Sequence, residues 1–221
     1  NNSAGAVVVN LEGDYVFNAT PSFYTGGRQN TAIRAISKVD FSVARTATVG
    51  PVTVNLKGSL TSSALFDERY AGITGLAALT RSDQNANLGD VSLSVVGDVS
   101  ISGANSKALE PASTTESGQA GNILFDLEGN LTATGAGSRG VAAKSAVTLT
   151  RYGVDVPNLS LTGNASDVDV KIKGDVIASG DSSLAIEAIS STLNGNSGAV
   201  TVELAGDLSA SGVASSGIAA R

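Results

Sequence analysis

Cysteine, histidine, methionine and tryptophan are all missing from this chain of 221 residues. Without cysteine, neither a disulfide framework nor a thiolate metal site can form. Without histidine, the commonest general base and the commonest transition-metal ligand are gone. Charged residues make up only 15% of the chain, and 14 Lys/Arg against 20 Asp/Glu leave a net charge of −6. No run of clustered Lys/Arg offsets that balance, so the sequence carries no electrostatic footprint for nucleic acid. Anionic membrane surfaces are disfavoured for the same reason. No window approaches the roughly 18 uninterrupted apolar residues of a membrane helix, so no membrane insertion by this segment is expected. Residue 1 opens directly into polar sequence with no signal-peptide pattern. The segment is expected either to begin after such a peptide or to be cut from a longer chain.

What is present is small and β-prone: Val, Ala, Ser, Thr, Asn and 26 glycines. That mixture suits closely spaced strands joined by small-residue turns. The residues fall into a repeated unit, anchored on Gly13, Gly58, Gly97, Gly129, Gly174 and Gly206. Ahead of each anchor stand three alternating apolar residues, for example Val52, Val54, Leu56 or Ile123, Phe125, Leu127. Six such triplets carry the period-2 signature of half-buried strands. Two residues past the anchor come Tyr15, Leu60, Val99, Leu131, Val176 and Leu208, and small residues suited to a turn stand four further on. A third short run is centred on Ile33, Leu76, Leu109, Val141, Ile186 and Ile218.

The basic period is 32 residues, seen from Gly97 to Gly129 and again from Gly174 to Gly206. Longer units carry insertions at about 20–30, 38–48, 62–72, 81–87 and 146–165, expected to be loops. A fixed period of three short strands is the mark of a solenoid, whose units close a core only by stacking on their neighbours. The expected fold is therefore all-β, a parallel β-helix of about six coils and roughly 29 Å of axial length. It forms one domain over 1–221, with coils at about 5–48, 49–87, 88–120, 121–165, 166–197 and 198–221. An antiparallel sandwich gives no reason for a 32-residue register.

Parallel stacking turns equivalent positions into columns. Val54, Leu93, Phe125, Val170 and Val202 are predicted to form one continuous buried column, and Leu11, Leu56, Val95, Leu127, Ile172 and Leu204 another. Outward columns place Lys171 between Asp126 and Glu203, Lys173 beside Glu128, and Lys57 beside Glu12. Opposite charges on adjacent strands stabilise by a few tenths to about 1 kcal/mol.

The units GDVSISGANSKALE, GNLTATGAGSRGVAAKS, GDVIASGDSSLAIEAIS and GDLSASGVASSGIAAR resemble coils of autotransporter passenger domains. The resemblance covers all six units, most clearly the last four, through a degenerate pattern of Gly, Asp, Ala and Ser. It implies a right-handed parallel β-helix displayed on, or shed from, a Gram-negative bacterium. It also implies the absence of cysteine, since chains that cross the outer membrane unfolded avoid disulfides. The family's C-terminal membrane barrel is not in this sequence, which reads as a fragment of a longer passenger.

Candidate chemistry is sparse. Carbohydrate-active β-helices need two carboxylates across a cleft, and the close acidic pairs here are Asp67/Glu68, Asp126/Glu128 and Asp167/Asp169. Asp126 and Glu128 face lysines in the stacking scheme, which is a structural use. The residue after each anchor, Asp14, Ser59, Asp98, Asn130, Asp175 or Asp207, forms an oxygen-bearing column that a hard cation can use. The calcium nonapeptide is absent, and Asp/Asn at such corners accept local backbone N–H groups. No catalytic, cofactor or metal residue is assigned. Two inserted runs mix aromatic and charged residues as recognition surfaces do, LFDERY at 65–70 and TRYGVD at 150–155. From them Phe66, Asp67, Glu68, Arg69, Tyr70, Arg151 and Tyr152 are candidate binding-loop residues.

The reading is a surface-displayed or secreted structural and adhesive module, not an enzyme and without a cofactor. Its partners would be glycans or proteins on host or neighbouring cells, or further copies of itself. The alternatives are a passive stalk carrying an effector outside the fragment, and a carbohydrate-active β-helix enzyme.

Overall fold

The computed structural model describes residues 2–19, 30–39, 47–64, 72–148 and 162–221. Among them every regular element is a strand, and the strands form three sheets in which every pairing is parallel. Each coil contributes one strand to each sheet, so the predicted parallel β-helix of six coils is the observed fold.

The first sheet stacks Val7–Glu12, Val52–Lys57, Val91–Val96, Ile123–Glu128, Val168–Lys173 and Val200–Ala205. The second stacks Tyr15–Ala19, Leu60–Ala64, Val99–Ser102, Leu131–Thr134, Val176–Ser179 and Leu208–Ser211. The third holds Asn30–Val39, Ile73–Leu88, Lys107–Gln119, Arg139–Val147, Leu184–Thr192 and Ser216–Ala220. Short strands at Asn2–Ala4, Ala47–Val49 and Gly163–Asn164 extend the third sheet round a corner.

Strand alternation does what period-2 sequence demands: apolar residues enter the coil and their neighbours face water. The column from Val9 through Val54, Leu93, Phe125 and Val170 to Val202 is in register throughout. Its four middle members are at most 1% exposed, while the end members Val9 and Val202 are half-covered because each lacks one neighbouring coil. Tyr15 and Phe17 pack against this core from the first coil.

Each anchor glycine turns the chain from the first sheet into the second with a positive φ, from 108° at Gly13 to 157° at Gly206. Stacking adds a second demand. A Cβ built on Gly129 would lie 2.3 Å from the Gly97 carbonyl oxygen below it. The rungs are closed there by backbone hydrogen bonds, Gly97 N–H to the Glu128 carbonyl (2.8 Å) and Gly129 N–H to the Lys173 carbonyl (2.9 Å). Only glycine meets both the dihedral and the spacing.

The structure departs from the sequence reading at 81–87. That segment is no loop: it is the continuation of strand Ile73–Leu88, which bends round the corner to pair with Ala47–Val49 and with the end of Lys107–Gln119. A bulge between Thr115 and Ser117 marks the bend. Val39, Ala47, Val49, Ala86 and Leu88 close a second, smaller core there. Alternation in NANL is too short to separate a bent strand from a loop.

A buried hydroxyl column also escaped the sequence reading. Ser37, Thr80, Ser113, Ser145 and Ser190 are consecutive register partners in the third sheet, each at most 5% exposed. Each ties the third sheet to the corner where the first sheet begins. Ser145 Oγ donates to the Gly121 carbonyl (3.0 Å) and accepts from the Ser166 N–H (2.9 Å). Ser190 Oγ does the same between the Ser166 carbonyl (2.9 Å) and the Gly198 N–H (2.8 Å). Buried backbone groups left unpaired are costly, so these hydroxyls replace the water the corner excludes.

Three substitutions test the packing of the coil. Phe125→Ala should destabilise by about 3–5 kcal/mol, and Val202→Ala, at the half-covered end of the same column, by clearly less in urea unfolding. Ser145→Ala should cost about 1–3 kcal/mol, by stranding two buried backbone groups. Equal losses for Phe125→Ala and Val202→Ala would contradict the column.

Candidate functional site

The candidate loop residues Phe66, Asp67, Glu68, Arg69, Tyr70, Arg151 and Tyr152 lie outside the described residues. The other sequence candidates fall on the coil, where most of them hold rungs together.

At the anchor corner, the carboxylate or amide of one coil accepts the backbone N–H of the equivalent residue one coil on. Asp14 Oδ1 accepts from Ser59 (2.8 Å), Asp98 from Asn130 (2.8 Å), Asn130 from Asp175 (3.0 Å) and Asp175 from Asp207 (2.9 Å). A second ladder runs along the corner before the first sheet. Asp90 Oδ1 accepts from Asn122 (2.9 Å), Asn122 from Asp167 (3.2 Å) and Asp167 from Ala199 (2.8 Å). The expectation of local acceptance is thereby corrected: the donors are 32 or 45 residues away in sequence. A cross-rung N–H is nearer than a local one because parallel stacking puts it one strand spacing away. At the Asp175–Asp207 end the Asp175 carboxylate is likewise engaged with the backbone N–H of its neighbour. Among the described residues no group of three or more acidic side chains is disposed to hold a metal ion.

The charge column on the first sheet is realised in part. Lys173 Nζ donates to Glu128 Oε1 at 2.7 Å across the rung. That hydrogen bond, reinforced by the opposite charge, lowers the Glu128 pKa and raises that of Lys173. Lys171 sits in register between Asp126 and Glu203, yet its ammonium leans to Asp169 on its own strand, at 3.6 Å. Residues two apart on one strand share a face, so the intrastrand carboxylate competes on equal terms with the cross-strand ones.

The outer face of the third sheet is different. Arg34, Lys38, Arg81, Lys107, Arg139 and Lys144 all lie on its strands, and Arg221 follows the last of them. Four carboxylates share the face: Asp83, Glu110, Glu116 and Glu187. The first sheet and its corners carry three lysines, Lys57, Lys171 and Lys173, among eleven carboxylates. An acidic chain thus folds into a rod whose charge is segregated, basic on one sheet and acidic on another.

Within the basic face lies a groove of ≈ 440 Å³. Its floor is apolar, with Leu79, Ala112, Ala142 and Ile189, and the two alanines occupy outward rows yet are only 8% exposed, because longer side chains wall them in. The walls include Lys107, Arg139, Lys144, Glu110, Glu187 and Arg221, and at one end Arg81. Lys107 pairs with Glu110, Arg139 Nη1 with Glu187 Oε2 at 3.1 Å, and Arg81 Nε with Asp83 Oδ1 at 3.0 Å. Lys144 and Arg221 form no ion pair among the described residues. A shallower cleft of ≈ 150 Å³ continues the groove past Arg81, Thr114 and Lys144 towards Glu116 and Thr148.

No two of these cations are adjacent in the chain. Lys107 and Arg139 are one 32-residue period apart and become neighbours only as register partners. The available signal was the row two residues before each third-run centre, where Lys107 and Arg139 follow one another. Comparison with protein-family models, curated proteins and solved structures returns no match.

The Glu128–Lys173 pair gives a titration to check. A lowered folded-state carboxyl pKa favours the fold above the unfolded value, and that contribution vanishes as pH falls through the folded value. The raised Lys173 value acts below the unfolded lysine pKa and is lost as pH rises through the folded one. By NMR, Glu128 should titrate below the ordinary glutamate range, and Lys173→Ala should return it to that range. An unchanged midpoint in that variant would show that the pair does not set it.

Proposed function

We propose that the chain is a structural and adhesive β-helix module of an autotransporter-like passenger, displayed on or released from a bacterial surface. The repeats GNLTATGAGSRGVAAKS and GDLSASGVASSGIAAR support the passenger assignment through their resemblance to that family. The observation that carries the adhesive half is the segregation of charge. The corner carboxylates are engaged in holding rungs together, whereas the third sheet presents a concentrated basic groove that the fold does not use up. A solenoid whose repeats contact only their neighbours is a stiff presenter of such a face. Contact with a partner then needs no conformational change, which limits the entropic cost of binding.

Beads coated with the chain should adhere to cultured cells or immobilised matrix more than albumin-coated beads do. Deleting 149–161, which leaves strands Arg139–Val147 and Gly163–Asn164 in place, separates the contributions of that insertion and of the face. Adhesion that matches albumin on every surface would leave a passive stalk, and adhesion abolished by the deletion alone would assign contact to the insertion.

A further inference from the structure

We propose that the groove on the outer third sheet binds an acidic polysaccharide, a chain of sugars bearing carboxylate or sulfate groups, laid along the axis of the rod. The inference rests on the adhesive reading and gives that surface its ligand class.

The groove's cations are strung along the rod axis. Arg81 belongs to the second coil, Lys107 to the third, Arg139 and Lys144 to the fourth, and Arg221 to the sixth. At about 4.8 Å per rung these cations span roughly 19 Å parallel to the axis. A small anion would satisfy one or two of them, and only a linear polyanion meets the whole row. Not all of this charge is taken up within the fold. Of the five cations, three have carboxylate partners, while Lys144 and Arg221 have none among the described residues. Guanidinium groups already paired still keep further N–H donors for carboxylate or sulfate oxygens.

The groove also carries hydrogen-bond acceptors. Glu110 and Glu187 lie in the groove, the Glu187 side chain 14% exposed, each tied to one cation and retaining lone pairs. Carboxylates accept hydrogen bonds, so they suit a ligand carrying hydroxyl donors beside its charges. Sugars have those donors throughout their length. Among the described residues no aromatic side chain lines the groove, so unstacked bases find no platform there, which disfavours single-stranded nucleic acid. The floor alanines leave room for a ring to descend between the charged walls.

The test uses the full 221-residue chain with three probes immobilised at equal charge density: a heparin-type sulfated oligosaccharide, an oligogalacturonate, and single-stranded DNA. At least one glycan should bind at low salt, more tightly than DNA, and weaken by about tenfold or more as salt rises from 50 to 200 mM. Preference between the two glycans distinguishes sulfate from carboxylate. Lys144→Ala with Arg221→Ala should lower glycan affinity by about tenfold, while Lys57→Ala with Lys171→Ala on the first sheet should leave it unchanged. Lys144→Glu alone serves as a second variant, confirmed as folded by circular dichroism. The proposal is overturned if neither glycan binds, if DNA binds as tightly, or if the third-sheet variants bind like the parent. Should coated beads still adhere to cells while both glycans fail, the ligand class is wrong and the adhesive reading stands; should the beads fail too, both fall.

Discussion

Everything in this molecule depends on one constraint: each coil must hydrogen-bond to the next in parallel and in register. A single coil has no interior of its own, so apolar burial becomes available only once rungs align. Alignment in turn fixes which side chains become neighbours, at one strand spacing, whatever their distance in sequence. The anchor glycines make this possible, because their left-handed corners stack with the carbonyl of one lying where a Cβ of the next would be.

Polar residues are allotted by the same rule. Inward hydroxyls from Ser37 to Ser190 satisfy the backbone where the third sheet meets the first. Asp14, Asp98 and Asp175 at one corner, and Asp90 and Asp167 at another, each take an N–H from the coil above. The excess of acid in the composition is therefore spread along the rod as hydrogen-bond acceptors. Cations collect where no such ladder runs, on the outer third sheet, and that division makes one face of an acidic protein attractive to anions.

Much of the architecture was legible in the residues. Alternation in VTVNLK or ILFDLE is a local property, and a repeated glycine offset reports the corner directly. The columns followed because a parallel stack maps the period onto space, and Phe125 lies where that mapping put it. Lys173 met Glu128 as the mapping required. Lys171 did not meet Asp126 or Glu203, because side-chain rotamers choose among several carboxylates within reach, and register alone does not rank them. The bend in Ile73–Leu88 was missed because a strand that turns a corner loses the clean alternation by which strands are recognised. The candidate site was hardly legible at all: its residues come from five coils, and none of its cations adjoins another in the chain.

By itself the sequence determined the β-helix, its period, its inward columns and its glycine corners, since these rest on spacing and on the steric limits of single residues. Only the tertiary structure decided what the polar residues do. Whether Asp98 takes a local or a neighbouring N–H, and whether Arg81, Arg139 and Lys144 are scattered charges or one groove, depends on distances between coils. Those distances are set by hydrogen bonds between backbones that the linear order keeps tens of residues apart.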